Sequence, residues 1–404
     1  MEVKCKMSKK KIIIISSGVL LVIILTFICF KLFYKPEFYS IDKDEVYLEK
    51  TKLEVYDYYS LSEILHLCDG CTLLKDYKVN ARELGKQELE VIYLDSDNDK
   101  CKGTLELTVL DTTPPYVGVG NHYTHYLGTN FTFYKDILCA DNFDRNTKCE
   151  IVGDFDETKL GETNLKVKAV DSSNNVTEKE FLLKVVEKPK ASSKENNISF
   201  EEIEARLPSN ASLLIDVSKW DKDIDWKKVA SSGVEYVMIR LGTQKALDKE
   251  SVIDEYFVKN YKGAKNAGLK VGVYYFSYAN DVDDAREQAE WVLDKIKDYE
   301  IDLPVCFDWE SWEYFSEFDI SIHDLNEIAK TFLDTIKENG YDVINYSSKS
   351  YLESVWDLKE YNTWLAHYTT NTNYNGDFLI WQFTEDGVIP GVKGTVDVNF
   401  YYNK

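Results

Sequence analysis

Two acidic side chains, Asp308 and Glu310, follow the apolar run 303–307 and stand two positions apart. Because alternate residues of a strand point to the same side, both carboxyl groups would project into one cleft at the strand end. Cleavage of a glycosidic bond uses such a pair: one carboxyl keeps its proton for the leaving oxygen, and the other stays ionised to stabilise positive charge on the sugar. The pair therefore predicts a glycosidase centre, with a solvated or salt-bridged pair as the alternative.

Short apolar segments that alternate with amphipathic stretches surround this pair between residues 211 and 404. Such alternation over about 190 residues predicts a parallel barrel whose active site lies at the carboxyl ends of its strands. Asp216 and Asp308 each close one of the apolar segments, and Glu310 follows directly. We therefore expect the three carboxyl groups to meet at one end of the barrel.

The stretch from about residue 211 to residue 404 resembles glycoside hydrolase family 25. The motifs that carry the resemblance follow the family's order: Asp216-Val217-Ser218, Arg240-x-Gly242, Asp308-x-Glu310, Trp364-x-Ala366-x-Tyr368, Trp381-Gln382 and Val396-Asp397-Val398-Asn399. The resemblance implies an irregular α/β (TIM-like) barrel and an N-acetylmuramidase of the lysozyme type. Such an enzyme cleaves the β-1,4 bond between N-acetylmuramic acid and N-acetylglucosamine in peptidoglycan.

The resemblance also implies roles for four carboxylates, with no cofactor and no metal. Glu310 matches the general acid that protonates the leaving oxygen. Asp308 matches the residue that orients or charge-stabilises the reacting sugar, by steering its 2-acetamido group. Asp216 and Asp397 would complete the acidic floor, where like charges help to keep the proton on Glu310.

Six further side chains are candidates for substrate binding, mainly because aromatic rings stack on sugars and their polar atoms form hydrogen bonds. They are Arg240, Tyr274, Tyr275, Trp364, Tyr368 and Trp381. A place in the barrel core is the alternative role for Tyr275 and Trp381.

The charge balance of the chain narrows the range of partners. Its 404 residues carry 70 acidic and 48 basic side chains, a formal net charge of −22. Nucleic acid is excluded as a partner, because phosphate binding needs a basic surface. An acidic surface is also repelled by anionic wall polymers, so contact with peptidoglycan must rely on aromatic and hydrogen-bonding groups.

The N-terminal sequence predicts a membrane anchor. Five lysines among the first eleven residues precede residues 12–30, which carry no charge. At about 1.5 Å per residue this run can cross a hydrocarbon core of about 30 Å. We expect a cytoplasmic tail at 1–11, a single transmembrane helix at 12–34 in the plasma membrane, and a catalytic domain outside the cell. A cleaved signal peptide is the alternative.

Residues 38–187 contain an internal repeat. The segment 84–109 aligns with 160–185 at an offset of 76 residues, and both copies alternate apolar and polar residues around an Asp-Ser-x-Asn turn. The pattern predicts β-hairpins and resembles bacterial immunoglobulin-like surface domains. We expect two all-β sandwiches of this kind, at 38–111 and 112–187, that act as spacers, with binding of wall polymer as the alternative. A linker rich in polar residues follows at 188–210.

The cysteines fit an oxidising environment. Cys139 and Cys149 are spaced to close a short disulfide loop. Cys68, Cys71 and Cys101 leave an odd thiol, and the pattern favours a disulfide to Cys101. A zinc half-site at Cys68 and Cys71 is disfavoured, because no second pair of ligands exists.

The sequence as a whole therefore predicts a multidomain, membrane-anchored peptidoglycan hydrolase. The alternative is a non-catalytic wall-binding or structural surface protein. Protein partners, if any, are not indicated by the sequence.

Overall fold

The computed structural model describes residues 37–135, 137–189, 197–245 and 250–402. The chain forms two compact units, Met1–Thr112 and Thr113–Lys404. The predicted transmembrane helix at 12–34 lies outside the described residues. Among the residues that are described, no helix is both long and apolar enough to cross a membrane.

The first unit is built on a long antiparallel hairpin. Its elements are β1 (Tyr39–Ser40), β2 (Tyr47–Leu48), β3 (Lys52–Glu54), α1 (Leu61–Ile64), β4 (Leu65–His66), β5 (Thr72–Leu73), β6 (Gly85–Leu94) and β7 (Lys100–Leu110). Strands β6 and β7 form the hairpin, β5 extends it on the β6 side, and β1 and β3 pair with β7 in parallel. Strands β2 and β4 form a separate two-stranded ladder.

Residues 113–187, which we call the second β-module, repeat this hairpin. The strands are β8 (Tyr116–Gly118), β9 (His122–Tyr126), β10 (Leu138–Ala140), β11 (Lys148–Val152), β12 (Gly161–Val170) and β13 (Val176–Val186). The β12–β13 hairpin starts 76 residues after β6, and both hairpin turns place an asparagine in the left-handed region, Asn98 at φ 62° and Asn174 at φ 70°. Strand β9 joins β13 in parallel, and β8 pairs with β10.

The prediction of two immunoglobulin-like sandwiches is not supported by these sheets. Such a sandwich packs two antiparallel sheets of about three or four strands each. Each module here has one sheet of four or five strands with a parallel member, accompanied by a two-stranded ladder. Several of the remaining strands are only two or three residues long, which is too short to build a second full sheet.

The remainder of the second unit is a barrel. Its strands are β14 (Ala211–Val217), β15 (Val234–Gln244), β16 (Ser251–Ile253), β17 (Lys270–Ser277), β18 (Val305–Trp309), β19 (Val343–Ser348), β20 (Asn362–Ala366), β21 (Ile380–Gly387) and β22 (Val396–Tyr402). Its helices are α2 (Phe200–Arg206), α3 (Trp226–Ser231), α4 (Phe257–Asn266), α5 (Val282–Ile296), α6 (Ile322–Glu338) and α7 (Lys349–Leu352). Helix α2 falls within the predicted linker, yet its Ile203 is fully buried against the barrel.

The barrel is a closed ring of eight strands, because β14 pairs with both β15 and β22, while β16 is an arm on β15. The predicted parallel α/β barrel is wrong in one respect: β22 runs antiparallel to both of its neighbours. The connection from β21 to β22 spans only residues 388–395. A parallel return needs a crossover of about a dozen residues or more, so the chain turns back directly. The ring is TIM-like, but strands and helices do not alternate throughout.

Alternation along the strands separates two apolar layers. Side chains such as Met238, Cys306 and Ile344 fill the interior of the ring, while Phe307 and its neighbours pack outward against the helices. Cys306 of this interior layer is fully buried. The interior is therefore a packed core, and the polar side chains of the strand ends form its rim.

The disulfides differ in part from expectation. Cys139 and Cys149 are bonded, as the spacing predicts. The predicted bond to Cys101 is wrong: Cys68 pairs with Cys71, whose Cα atom lies 5.3 Å away. Cys101 remains a thiol because its side chain points into the core of the first unit, where it is 4 % exposed.

Candidate active site

A polar cavity opens at the rim of the barrel where the parallel strands end. Every candidate carboxylate lies in its wall, together with aromatic and amide groups from most of the strands. The lining consists of Asp216, Ser218, Trp220, Arg240, Tyr274, Phe276, Asp308, Glu310, Tyr346, Trp364, Gln382 and Asp397. The barrel thus brings together residues that are up to 181 positions apart in the sequence.

Asp308 and Glu310 lie side by side at the end of β18. Between them Trp309 points outward and donates its indole N–H to the carbonyl of Ala279 at 2.9 Å, which fixes the strand end. Both acids therefore face the cavity. Asp308 is 5 % exposed, and Oδ1 has no hydrogen-bond partner among the described residues, whereas Glu310 opens onto the cleft.

Burial shifts the titration of this pair. Burial raises the pKa of Glu310 to about 7, and the charge of Asp216 adds to the rise. Burial and the nearby charge of Glu310 hold the pKa of Asp308 well above its usual range, although Arg240 opposes that rise. The two carboxyl groups are hydrogen-bonded to each other. Two like charges this close are not both ionised near neutral pH, so the pair shares one proton.

Asp216 and Asp397 form a second acidic pair across the antiparallel ladder of β14 and β22, where they are direct partners. Their carboxyl groups are hydrogen-bonded. Burial raises the pKa of Asp216 to about 6, against the lowering effect of two amide donors. Burial and the charge of Asp216 raise the pKa of Asp397 to about 10. This pair also carries one proton and one negative charge at neutral pH.

A network of amides and hydroxyls holds Asp216 in place. Gln382 and Asn399 donate to its Oδ2 at 3.0 and 2.7 Å. The Oε1 atom of Gln382 accepts from the hydroxyls of Tyr346 and Tyr368 at 2.8 and 3.0 Å. Asp216 therefore acts only as a hydrogen-bond acceptor toward these two amides. The bonds also fix the orientation of the side-chain amides of Gln382 and Asn399.

Arg240 provides positive charge beside the acids. Its guanidinium donates to Asp254 Oδ2 at 2.7 and 2.8 Å, and its side chain is 12 % exposed. Asp254 also accepts from the backbone N–H of Lys219, next to the rim residue Trp220. The ion pair therefore connects β15 to the loop that carries one wall of the cavity.

The other predicted binding residues divide into two groups. Tyr274 and Trp364 line the cavity, and Trp364 donates its indole N–H to Asn399 at 2.7 Å. Tyr275 and Trp381 point out of the ring instead. Tyr275 is fully buried near helices α5 and α6, and Trp381 packs among outer-layer rings and bonds the carbonyl of His367.

The cleft continues beyond the acidic cavity into a second groove that shares Glu310 and Tyr346 with it. Tyr368 lies in this groove and is 50 % exposed, while Trp220 on the cavity side is 73 % exposed. Glu310 therefore stands between two stretches of open surface, each with an exposed aromatic ring. This shape suits a polymer that passes across the acid.

Five residues that line the cavity have no role in the sequence-based account, and three of them are Tyr346, Gln382 and Trp220. A signal for two of them was present, because Tyr346 and Gln382 stand at or next to the ends of predicted strands, as Asp216 and Asp308 do. Trp220 follows a strand end within a short 3-10 helix, Lys219–Asp221, and no periodicity marks it.

Residues 215–392 match the family model of the glycosyl hydrolases family 25. The chain is 27 % identical over 188 residues to the autolytic lysozyme of Clostridium acetobutylicum, covering 46 % of this chain and 54 % of that protein. It is 27 % identical over 199 residues to lysozyme M1 of Streptomyces globisporus, covering 46 % and 66 %. The uncharacterized protein YegX of Escherichia coli (strain K12) matches with 27 % identity over 202 residues, covering 48 % and 72 %. With the acidic cleft at the barrel rim, these matches identify residues 215–392 as a family 25 glycosyl hydrolase domain and the chain as a glycoside hydrolase of the lysozyme type.

Proposed function

We propose that this protein hydrolyses the β-1,4 bond between N-acetylmuramic acid and N-acetylglucosamine in peptidoglycan. The observation that carries the proposal is the pair of Asp308, which is buried, and Glu310, which opens onto the cleft: both line one cavity, and their raised pKa values favour one shared proton. A glycosidase needs one proton donor and one ionised carboxylate at the scissile bond. A pair with one proton supplies both groups at neutral pH.

Glu310 acts as the general acid. With a pKa raised to about 7, it keeps its proton through much of the neutral range and still releases it readily. It protonates the glycosidic oxygen as the bond from that oxygen to the anomeric carbon breaks. In the second half of the reaction, Glu310 takes a proton from the attacking water and returns to its starting state.

Asp308 acts on the sugar that develops positive charge. Asp308 lines the cavity, and its Oδ1 has no hydrogen-bond partner among the described residues, so its carboxylate can accept the N–H of the 2-acetamido group. That contact turns the acetamido oxygen toward the anomeric carbon, and the substrate then provides its own nucleophile. Arg240 favours the ionised form of Asp308 that this role requires.

The remaining site residues support these two. Asp216 and Asp397 place one shared negative charge near Glu310, which helps to keep its pKa high. Tyr274 and Trp364 shape the floor of the cavity. Trp220 and Tyr368, exposed on either side of the acid, stack on sugar rings of the glycan strand.

We place the activity outside the cytoplasm, where peptidoglycan lies. Two disulfides, Cys68–Cys71 and Cys139–Cys149, support this location, since such bonds persist in oxidising surroundings. Trapping free thiols during cell lysis would test it. Full alkylation of these four cysteines without prior reduction would place the domain in a reducing compartment instead.

Digestion of purified peptidoglycan tests the activity directly. The expected products carry N-acetylmuramic acid at the new reducing end, which borohydride reduction and mass spectrometry identify. New ends of N-acetylglucosamine would refute the proposed bond specificity. Binding to peptidoglycan without any new reducing end would favour a non-catalytic wall-binding protein. The Asp308→Asn variant should lose most of the turnover, because the amide cannot stabilise positive charge.

A further inference from the structure

The second β-module packs directly on the barrel through an apolar contact. Leu138 and Ala140 of β10 are 7 % and 1 % exposed and belong to the same buried cluster as the outer layer of the barrel. Tyr116, on the paired strand β8, meets the ring of Tyr351 edge-on at 6.5 Å. The sequence predicted only a spacer here, but a spacer on a flexible linker would not share a core with the enzyme.

Polar contacts fix the module to one particular segment of the barrel, the loop that leads into helix α6. The first N–H of that helix, on Ile322, donates to the carbonyl of Asp141 at 2.7 Å. The guanidinium of Arg145 donates to both carboxylate oxygens of Asp324 at 2.9 and 3.2 Å. Asn146 donates to Asp319. The module thus satisfies the first N–H of the helix, while Ser321 of the barrel caps the N–H of Asp324.

Asp319 has an uncommon backbone conformation within this loop. Its φ of 53° lies in the left-handed region, which few residues other than glycine adopt. The side chain of Asp319 accepts the hydrogen bond from Asn146 of the module. The hydrogen bond from Asn146 therefore stabilises the loop at a residue whose backbone conformation is uncommon.

The other end of the same loop is Glu310. The N–H of Trp312 donates to the Glu310 carbonyl at 2.8 Å. The indole of Trp312 stacks on Tyr351 at 3.7 Å and meets Trp309 edge-on at 4.9 Å. Tyr351 is also the residue that Tyr116 of the module contacts. The module therefore reaches the backbone of Glu310 by two routes, one through Tyr351 and Trp312 and one through residues 319–324.

We propose that the second β-module is a positioning element of the active site, which holds the loop 311–321 so that Glu310 is set for proton transfer. Arg145 and Asn146 are its positioning residues, and neither lines the cleft. The effect on turnover rests on the proposed function, whereas the ordering of the loop does not. Because irregular segments open locally unless tertiary contacts hold them, loss of the docking contacts loosens this loop first.

The test compares the full chain with Arg145→Ala/Asn146→Ala. The matched control is Lys166→Ala, which removes one positive charge from the same module by breaking the ion pair with Glu178 at 3.1 Å on its own sheet. Hydrogen exchange followed by mass spectrometry should show residues 311–324 exchanging about tenfold faster in the double variant only. Its kcat should fall by about tenfold with KM unchanged, less than the ~10²-fold cost of misplacing a group by 1 Å.

Three further readouts separate positioning from general stability. The alkaline limb of the pH profile of kcat should move in the double variant, because the surroundings of Glu310 change and its pKa changes with them. Arg145→Lys, which keeps the charge opposite Asp324, should recover most of kcat. If the double variant does not fold, Arg145→Gln replaces it in the comparison with the wild type and Lys166→Ala.

Exchange and kcat equal to those of Lys166→Ala would overturn the proposal. So would faster exchange spread evenly over the whole unit, since that would indicate a loss of stability alone. An inactive wild-type protein would refute the proposed function and leave the exchange measurement to decide the positioning role.

Discussion

Replacement of both members of the Asp216–Asp397 pair by asparagine should shift the alkaline limb of the pH profile of kcat, while replacement of Asp397 alone should not. The pair holds one proton and one negative charge, because burial raises the pKa of Asp397 to about 10 and that of Asp216 to about 6. In Asp397→Asn the charge stays on Asp216, and the new amide donates as the protonated acid did. In the double variant the charge is gone and the volume is unchanged.

The size of the shift follows from the charge that acts on Glu310. Two unit charges about 10 Å apart interact by roughly 1.7 kcal/mol at an effective dielectric constant of about 20. A change of about 1.4 kcal/mol corresponds to one pH unit. We therefore expect the double variant to lower the pKa of Glu310 from about 7 to roughly 6. Burial, the larger cause of the raised value, is unaffected.

The assay is kcat against pH on soluble glycan fragments. The alkaline limb of the double variant should lie about one pH unit below that of the wild type. The alkaline limb of Asp397→Asn should coincide with that of the wild type within roughly 0.3 pH units. Equal shifts in the single and double variants would refute the shared proton. No shift in either would show that the pair does not act on Glu310.

The same single variant gives a stability test with a definite sign. A carboxyl whose folded pKa is raised favours the folded state only below its unfolded pKa, near 4, and weakens it as the pH climbs toward about 10. Asp397→Asn removes this penalty. Its melting temperature relative to the wild type should therefore rise between pH 4 and pH 8, and a constant difference would contradict the raised pKa.

Three further predictions concern the surroundings of the acids. Trp220→Ala removes an exposed ring from the cleft wall, so KM for long glycan strands should rise several-fold with kcat unchanged, and a fall in kcat alone would contradict a binding role. Tyr346→Phe removes the 2.8 Å hydrogen bond to Gln382 and should lower kcat about tenfold with little change in melting temperature, whereas unaltered kinetics would show that the network is dispensable. Cys139→Ser/Cys149→Ser opens a loop of sequence separation 10 and should cost roughly 3 kcal/mol of unfolding free energy in chemical denaturation, and an unchanged unfolding free energy would contradict a stabilising role for this bond.

The location of the active site follows from the sequence because strand ends meet at one rim of a barrel. Asp216, Asp308 and Glu310 each follow an apolar segment, and all three line the same cavity. The family motifs add Asp397, whose position at the start of a strand would otherwise have hidden it. Its strand runs antiparallel, and so its first residues reach the rim that the other strands reach with their last.

Other features depend on contacts between distant residues. The alternation of apolar and polar segments predicts that Tyr275 and Trp381 lie in strands. Which face of each strand points out of the barrel depends on how the ring closes around interior residues such as Met238 and Cys306. The hydrogen bonds from Gln382 and Asn399 to Asp216 span 166 and 183 residues and carry no local signal. The same holds for the docking of the second β-module, since Arg145 and Asp324 pair across 179 residues.

The most direct measurement of the central claim is the turnover of Glu310→Gln on purified peptidoglycan. The amide fills the same space but donates no carboxyl proton, and a positioned proton donor contributes on the order of 10² to 10⁴ in rate. We predict a loss of at least about 10²-fold in kcat, with hydrogen exchange across the barrel and binding to peptidoglycan unchanged. Turnover within a few-fold of the wild type, in a variant folded by the same criteria, would remove Glu310 from the role of general acid and contradict the account.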